Sequence, residues 1–234
     1  MTGPPVAFAF FDRAHRRHGL WRSGLTLLFE SEETEAVNDG PEVTADGDGF
    51  RSVLAGRFEL LFTPVAEPAA LRGARTRVCR VEGTFDGGPI SCLGTTTAVS
   101  AAPEWSELDA LRELSAVFDE GHAMLALAER PRDAVGHGSE LVSAAILVDG
   151  VLLDVEEARL STVYDGEGRQ RSCGVELWLP GEDFPRRASG QVVAGTTLDF
   201  DGLRVNAAIF EWRMDGREGA GSYELTVRDE PEAA

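Results

Sequence analysis

Glu176, Glu211 and Glu224 interrupt stretches of chain that are otherwise apolar or aromatic. A carboxyl group enclosed by apolar side chains ionises reluctantly, so it keeps a proton near neutrality and can act as a general acid. The same residues facing water would only keep a sheet soluble, and glutamate is seldom buried unpaired. Both readings stay open for each residue. Glu211 and Glu224 are the catalytic candidates, as acid or hydrogen-bond donor; Arg213 beside the first and Arg228 near the second are also placed for ordinary ion pairs. Trp21, Trp178, Trp212 and Tyr223 are candidates for shaping a substrate pocket, and aromatic rings serve equally well as core. His122 follows a turn and is a secondary candidate. His15, His18 and His137 complete the histidines, and no spacing among them suits a metal.

Much chemistry is absent. Without a single lysine there is neither a phosphate-binding Gly-Lys-Ser/Thr loop nor Schiff-base catalysis. No His-Glu-x-x-His, no Gly-x-Ser-x-Gly elbow and no strand–Gly-x-Gly-x-x-Gly–helix unit occurs. A protein that works without a cofactor or a metal ion is therefore expected.

The candidate residues must be positioned by strands. Asp-Gly punctuates the chain, at 39–40, 46–47, 48–49, 86–87, 149–150, 165–166, 201–202 and 215–216. This dipeptide accepts the positive φ angles of tight hairpin turns. Short runs of Val, Leu, Phe and Thr lie between, the pattern of an antiparallel meander. Hairpins are expected at 77–97, 143–155, 158–179, 191–214 and 203–227, with earlier strands over 6–12, 20–30 and 50–62. Alternation puts Glu211 opposite Trp212, and Ser222, Glu224 and Thr226 opposite Tyr223, Leu225 and Val227. Faces that mix large apolar with polar groups suit barrels with a partly polar lumen, or two packed β layers. One helix is expected near 103–114, where Pro103 and acids precede Trp105, Leu108 and Leu111 at three-residue spacing. The loop 129–140 suggests a boundary between two β units, 1–130 and 131–234. No internal repeat is visible.

The chain has 234 residues, 22 basic and 40 acidic, for a net charge of −18. Nucleic acid is excluded as a partner, because binding phosphates requires a basic surface. The densest basic cluster, Arg13 to Arg22, reads as a solvated loop or, in the minority reading, an anion site. Cys79, Cys92 and Cys173 are scattered and odd in number, and the opening six-residue apolar run is no secretion signal, so a cytoplasmic location is expected. No run approaches the ~18 apolar residues of a membrane-spanning helix. The chain is expected to be a monomer or homodimer.

Several segments carry a family resemblance. The opening Val6-Ala-Phe-Ala-Phe-Phe-Asp-Arg13 with Gly19-Leu-Trp-Arg22, then Arg80-Val-Glu-Gly-Thr-Phe-Asp-Gly-Gly88, Val117-Phe-Asp-Glu-Gly-His122 and Thr162-Val-Tyr-Asp-Gly-Glu-Gly168 fall in a familiar order. With the close, Trp212-Arg-Met-Asp-Gly-Arg-Glu-Gly-Ala-Gly-Ser-Tyr-Glu224, they resemble the lipocalin-like superfamily of carotenoid 1,2-hydratase (hydroxyneurosporene synthase) and AttH-like proteins. The resemblance implies an all-β fold of two antiparallel lipocalin-like units and an apolar cavity. Relatives include isoprenoid hydratases, terpenoid cyclases and pericyclic polyketide cyclases. Where the family shows an Asp-His pair, this chain reads Gly94-Thr-Thr-Thr-Ala-Val-Ser-Ala-Ala-Pro-Glu-Trp105, so the family's hydratase mechanism does not transfer directly. The expected function is binding of an apolar isoprenoid- or polyketide-like molecule in a β-barrel cavity, with cyclisation, isomerisation or hydration there. A non-catalytic carrier or sensor of a hydrophobic ligand would need the same cavity without an acid in reach. A β scaffold for protein binding would instead show a filled barrel and an exposed apolar patch.

Overall fold

A computed structural model describes residues 7–228 except 23, 32, 136–138 and 201, so His137 and Asp201 lie outside the described residues. Ten strands form the first sheet: β1 (Ala7–Asp12), β2 (Arg17–Arg22), β3 (Leu25–Glu30), β4 (Glu33–Val37), β5 (Glu42–Asp46), β6 (Gly49–Leu54), β7 (Phe58–Pro64), β8 (Ala69–Leu71), β9 (Ala74–Phe85) and β10 (Gly88–Val99). Nine form the second: β11 (Leu108–Asp119), β12 (His122–Pro131), β13 (Leu141–Val148), β14 (Val151–Asp154), β15 (Glu157–Tyr164), β16 (Gln170–Trp178), β17 (Arg186–Phe200), β18 (Leu203–Met214) and β19 (Arg217–Arg228). All pairings are antiparallel, and each sheet curls into a half-barrel.

The Asp-Gly turns explain the local folding. Asp86-Gly87, Asp149-Gly150 and Asp215-Gly216 each carry positive φ at both residues, and each joins two paired strands. The stretches read as single strands over 20–30 and 50–62 are each broken by a turn, the second at Gly56, whose φ is +76°.

The two sheets share one path. In each, the first strand lies mid-sheet, the chain meanders outward to one edge, and it returns from the other edge until the last strand pairs with the first. Thus β1 pairs with β10, and β11 with β19. This repeat of topology is invisible in the residues because pairing requires only alternation and turns.

The expected helix is corrected. Residues 108–119 form β11, hydrogen-bonded to β12 on one side and β19 on the other. Leu114 and Ala116 face the half-barrel interior, while Leu111 and Val117 face the other sheet. A strand buried on both faces carries apolar residues at spacings that mimic a helix, and periodicity cannot separate the two. The chain changes sheet between Val99 and Leu108, whereas the loop after β12 joins two paired strands of the second sheet.

Three apolar clusters hold the fold. The first half-barrel is filled by rings: Phe8 stacks on Trp21 at 5.4 Å, with Phe10, Phe58, Phe62 and Phe85 around them. The second is filled around Trp212, Phe210 and Tyr223. The third lies between the sheets and joins Phe11, Leu20, Leu27 and Phe29 to Leu125, Leu127, Leu147 and Ile209.

Candidate active site

Both half-barrel interiors are packed with side chains, and a cavity of about 390 Å³ opens instead between the sheets. The first sheet lines it with Leu20, Leu25, Leu27 and Leu71, the second with Leu111, Leu127, Leu203 and Val205, and the connecting segment with Pro103 and Trp105. The volume falls in the range of small-molecule sites, and the walls are apolar, as such sites usually are.

One charged group breaks these walls. Glu113 on β11 and Glu224 on β19 are direct cross-strand partners. Like charges so placed repel, and here Arg22, at the end of β2 in the opposite sheet, reaches between them. Its Nη2 donates to Glu113 Oε2 and, at 3.2 Å, to Glu224 Oε1. Burial pushes the Glu224 carboxyl above the usual carboxylate range; Arg22 opposes the rise and Glu113 adds to it. Glu224, with Glu113 and its own hydrogen bonds, holds Arg22 more firmly protonated than usual. Two carboxylates share one guanidinium, so the group is net negative until one of the pair takes a proton.

Hydroxyl groups extend the polar strip. Ser115 and Ser222 are bonded at 2.9 Å, and Thr76 and Thr97 at 3.0 Å. Close approach of β19 to β11 depends on Gly221: a methyl group there would lie 1.8 Å from the Ser115 carbonyl oxygen. This glycine fixes the register that sets Glu224 opposite Glu113.

Of the residues singled out from the sequence, the cavity gathers Glu224; Trp21 borders it, but its ring packs against Phe8 inside the first half-barrel. Glu224 is bonded to Arg22, while Arg228 donates to the Trp105 carbonyl oxygen. Glu211 is exposed on β18 outside the cavity lining, and its neighbour Arg213 pairs with Glu218. Trp212 and Tyr223 are fully buried inside the second half-barrel, where the Tyr223 hydroxyl lies 2.8 Å from Thr162 Oγ1. Trp178 is half-buried on β16 under the Arg159 guanidinium, 4.7 Å from its centroid. Glu176 pairs with Arg187. His122 sits at the β11–β12 turn, with Nδ1 2.7 Å from Asp119 and Nε2 3.2 Å from Asp149.

The basic cluster near the first turn disperses. Arg13 pairs with Glu218, Arg17 with Glu30 and Arg22 with the glutamates. His18 is buried there, and burial lowers its pKa to about 4. Among the described residues no group of three His, Cys, Asp or Glu side chains could hold a metal, and no helix is long and apolar enough to cross a membrane.

Arg22 and Glu113 were missed by sequence reasoning. Arg22 was hidden in the basic cluster and Glu113 in a helix-like run. The available signal was the alternation Leu111-x-Glu113-x-Ser115-x-Val117, one face of a strand with a carboxylate among apolar neighbours.

No protein-family model matches the chain, and no curated protein matches it by sequence. Solved structures do match. A protein from Nitrosomonas europaea described as AttH is 14% identical, with a TM-score of 0.56, over 96% of this chain and 93% of that one. CghA is 12% identical, with a TM-score of 0.55, over 97% and 90%. Kievitone hydratase from Nectria haematococca is 10% identical, with a TM-score of 0.50, over 97% and 89%. At such identities the likeness is one of architecture: the chain shares the paired half-barrel β fold of these solved structures.

Proposed function

We propose that this protein is a cofactor-independent enzyme that cyclises, isomerises or hydrates an apolar isoprenoid- or polyketide-like molecule in the cavity between its sheets. The observation that carries this reading is the Arg22–Glu113–Glu224 group set into otherwise apolar walls. A charge cluster partly withdrawn from water costs stability unless something is gained, and titratable groups shifted by desolvation and a charge partner in a cleft point to functional sites. Glu224 is the proton donor. Arg22 keeps its carboxyl from being abandoned in apolar surroundings, and Glu113 keeps Arg22 in place. The walls hold a flexible hydrocarbon in a reactive shape, and orientation alone supplies much of the acceleration in such reactions. In a hydration, the Glu224 proton adds to the alkene, water captures the cation, and the proton released from that water returns to a carboxylate of the pair. That one similar fold is named a hydratase supports this class of chemistry.

The test begins with protein purified from its own host. Native mass spectrometry followed by organic extraction should yield a bound polyene, terpenoid or polyketide, and Glu224→Gln should slow its conversion at least about a hundredfold, the usual scale for a lost general acid. Unchanged turnover in Glu224→Gln would remove the acid role.

A further inference from the structure

The polar group in the cavity has more hydrogen-bond donors than the protein uses. A guanidinium carries five N–H donors. In Arg22 both acceptors sit on Nη2, while Nε has no hydrogen-bond partner. The side chain is nonetheless 42% exposed, and it lines the cavity. Nε is itself buried, and a guanidinium with donors left unmatched at the wall of an apolar cavity is stabilised by a ligand that supplies an acceptor. The charge count limits that acceptor. With one proton on the glutamate pair, one carboxylate answers one guanidinium, so an anionic ligand would add an uncompensated negative charge to a site of low polarity, whereas a neutral oxygen would not.

We infer that the substrate carries a neutral carbonyl oxygen, bound by the Arg22 guanidinium beside the Glu224 carboxyl, with its hydrocarbon body along the leucine-lined walls. This rests on the cavity being the binding site, as proposed above, and adds the chemical class of the ligand. Two donors converging on one oxygen would draw electron density from an adjoining double bond, which eases both ring closure and water addition. Glu113 is then a positioning residue: it touches Arg22, not the ligand.

Three fluorescent naphthalenes separate the possibilities: 6-propionyl-2-(dimethylamino)naphthalene, the same amine without the ketone, and its 6-carboxylate analogue. In wild-type protein the ketone should bind about tenfold tighter than the parent amine, the effect of about 1.4 kcal/mol from one net hydrogen bond to a charged donor. Its emission should shift to the red as the carbonyl accepts that bond. The carboxylate should bind more weakly than the ketone. Arg22→Met should abolish the ketone's advantage over the parent amine. Equal binding of ketone and parent by the wild type would overturn the inference while leaving the cavity intact as a site, and so would tightest binding by the carboxylate. If neither neutral probe binds, the cavity reading fails and the inference falls with it. The wild-type comparison needs no variant, so it decides the matter even if Arg22→Met does not fold.

Discussion

Replacing Arg22 with methionine keeps the apolar stem of the side chain and removes its charge, leaving Glu113 and Glu224 face to face between the sheets. Arg22 Nη2 lies 3.2 Å from Glu224 Oε1. At an effective dielectric constant near 20, Coulomb's law gives roughly 5 kcal/mol for unit charges at that separation. The Arg22 side chain is 42% exposed, so solvent screening about halves the figure, and Arg22→Met should cost about 2–3 kcal/mol at pH 8. The sign of the pH dependence follows from the carboxyls. Glu224 already titrates above its unfolded value, and losing Arg22 raises it further. A group of this kind contributes stability below its unfolded pKa and loses it as pH rises through the folded pKa. The destabilisation caused by Arg22→Met should therefore grow from pH 5 to pH 8 and be smallest at the acid end, where Glu224 takes up a proton. Urea unfolding at several pH values measures it. Adding Glu113→Gln and Glu224→Gln to Arg22→Met should restore most of the loss, and the cycle isolates the coupling. A cost that stays flat with pH, or a triple variant no more stable than Arg22→Met, would refute the charge-network account.

Further outcomes follow from the same geometry. His18 is buried, with its pKa lowered to about 4. The unfolded chain binds more protons below pH 6.5, so stability is full above that value and drops by about 2 kcal/mol between pH 7.5 and 5. His18→Gln should remove that share of the slope in urea titrations; an identical slope would mean another group carries it. Gly221→Ala should cost at least about 2 kcal/mol in thermal or urea unfolding, because its methyl group would collide with the Ser115 carbonyl and part β19 from β11. A near-neutral result would show that the ladder adjusts freely. Glu211 is exposed outside the cavity, so Glu211→Gln should leave conversion of the extracted ligand within about twofold, in contrast to Glu224→Gln; the reverse ranking would move the site.

Much of the fold is legible in the chain because hairpins are local. Asp86-Gly87, Asp149-Gly150 and Asp215-Gly216 announce their turns, and residue alternation assigns Glu224 and Tyr223 to opposite faces of β19. Alternation says which residues share a face; it does not say what that face meets. Trp212 and Tyr223 look like pocket walls by type, yet their face curls inward and fills the second half-barrel. The helix-like run at 103–114 fails for a related reason, since its hairpin partner β12 and the distant β19 supply the ladder bonds that override local preference. The site is the least legible part. Arg22 is 91 residues from Glu113 and 202 from Glu224, and they meet only because two sheets with one winding pack against each other. The sequence by itself determined the all-β character, many of the hairpins with their Asp-Gly turns, and the presence of a carboxylate on a face with apolar neighbours. Only the tertiary structure decided that this face is covered by another sheet, which turns an ordinary strand glutamate into a buried acid beside an arginine.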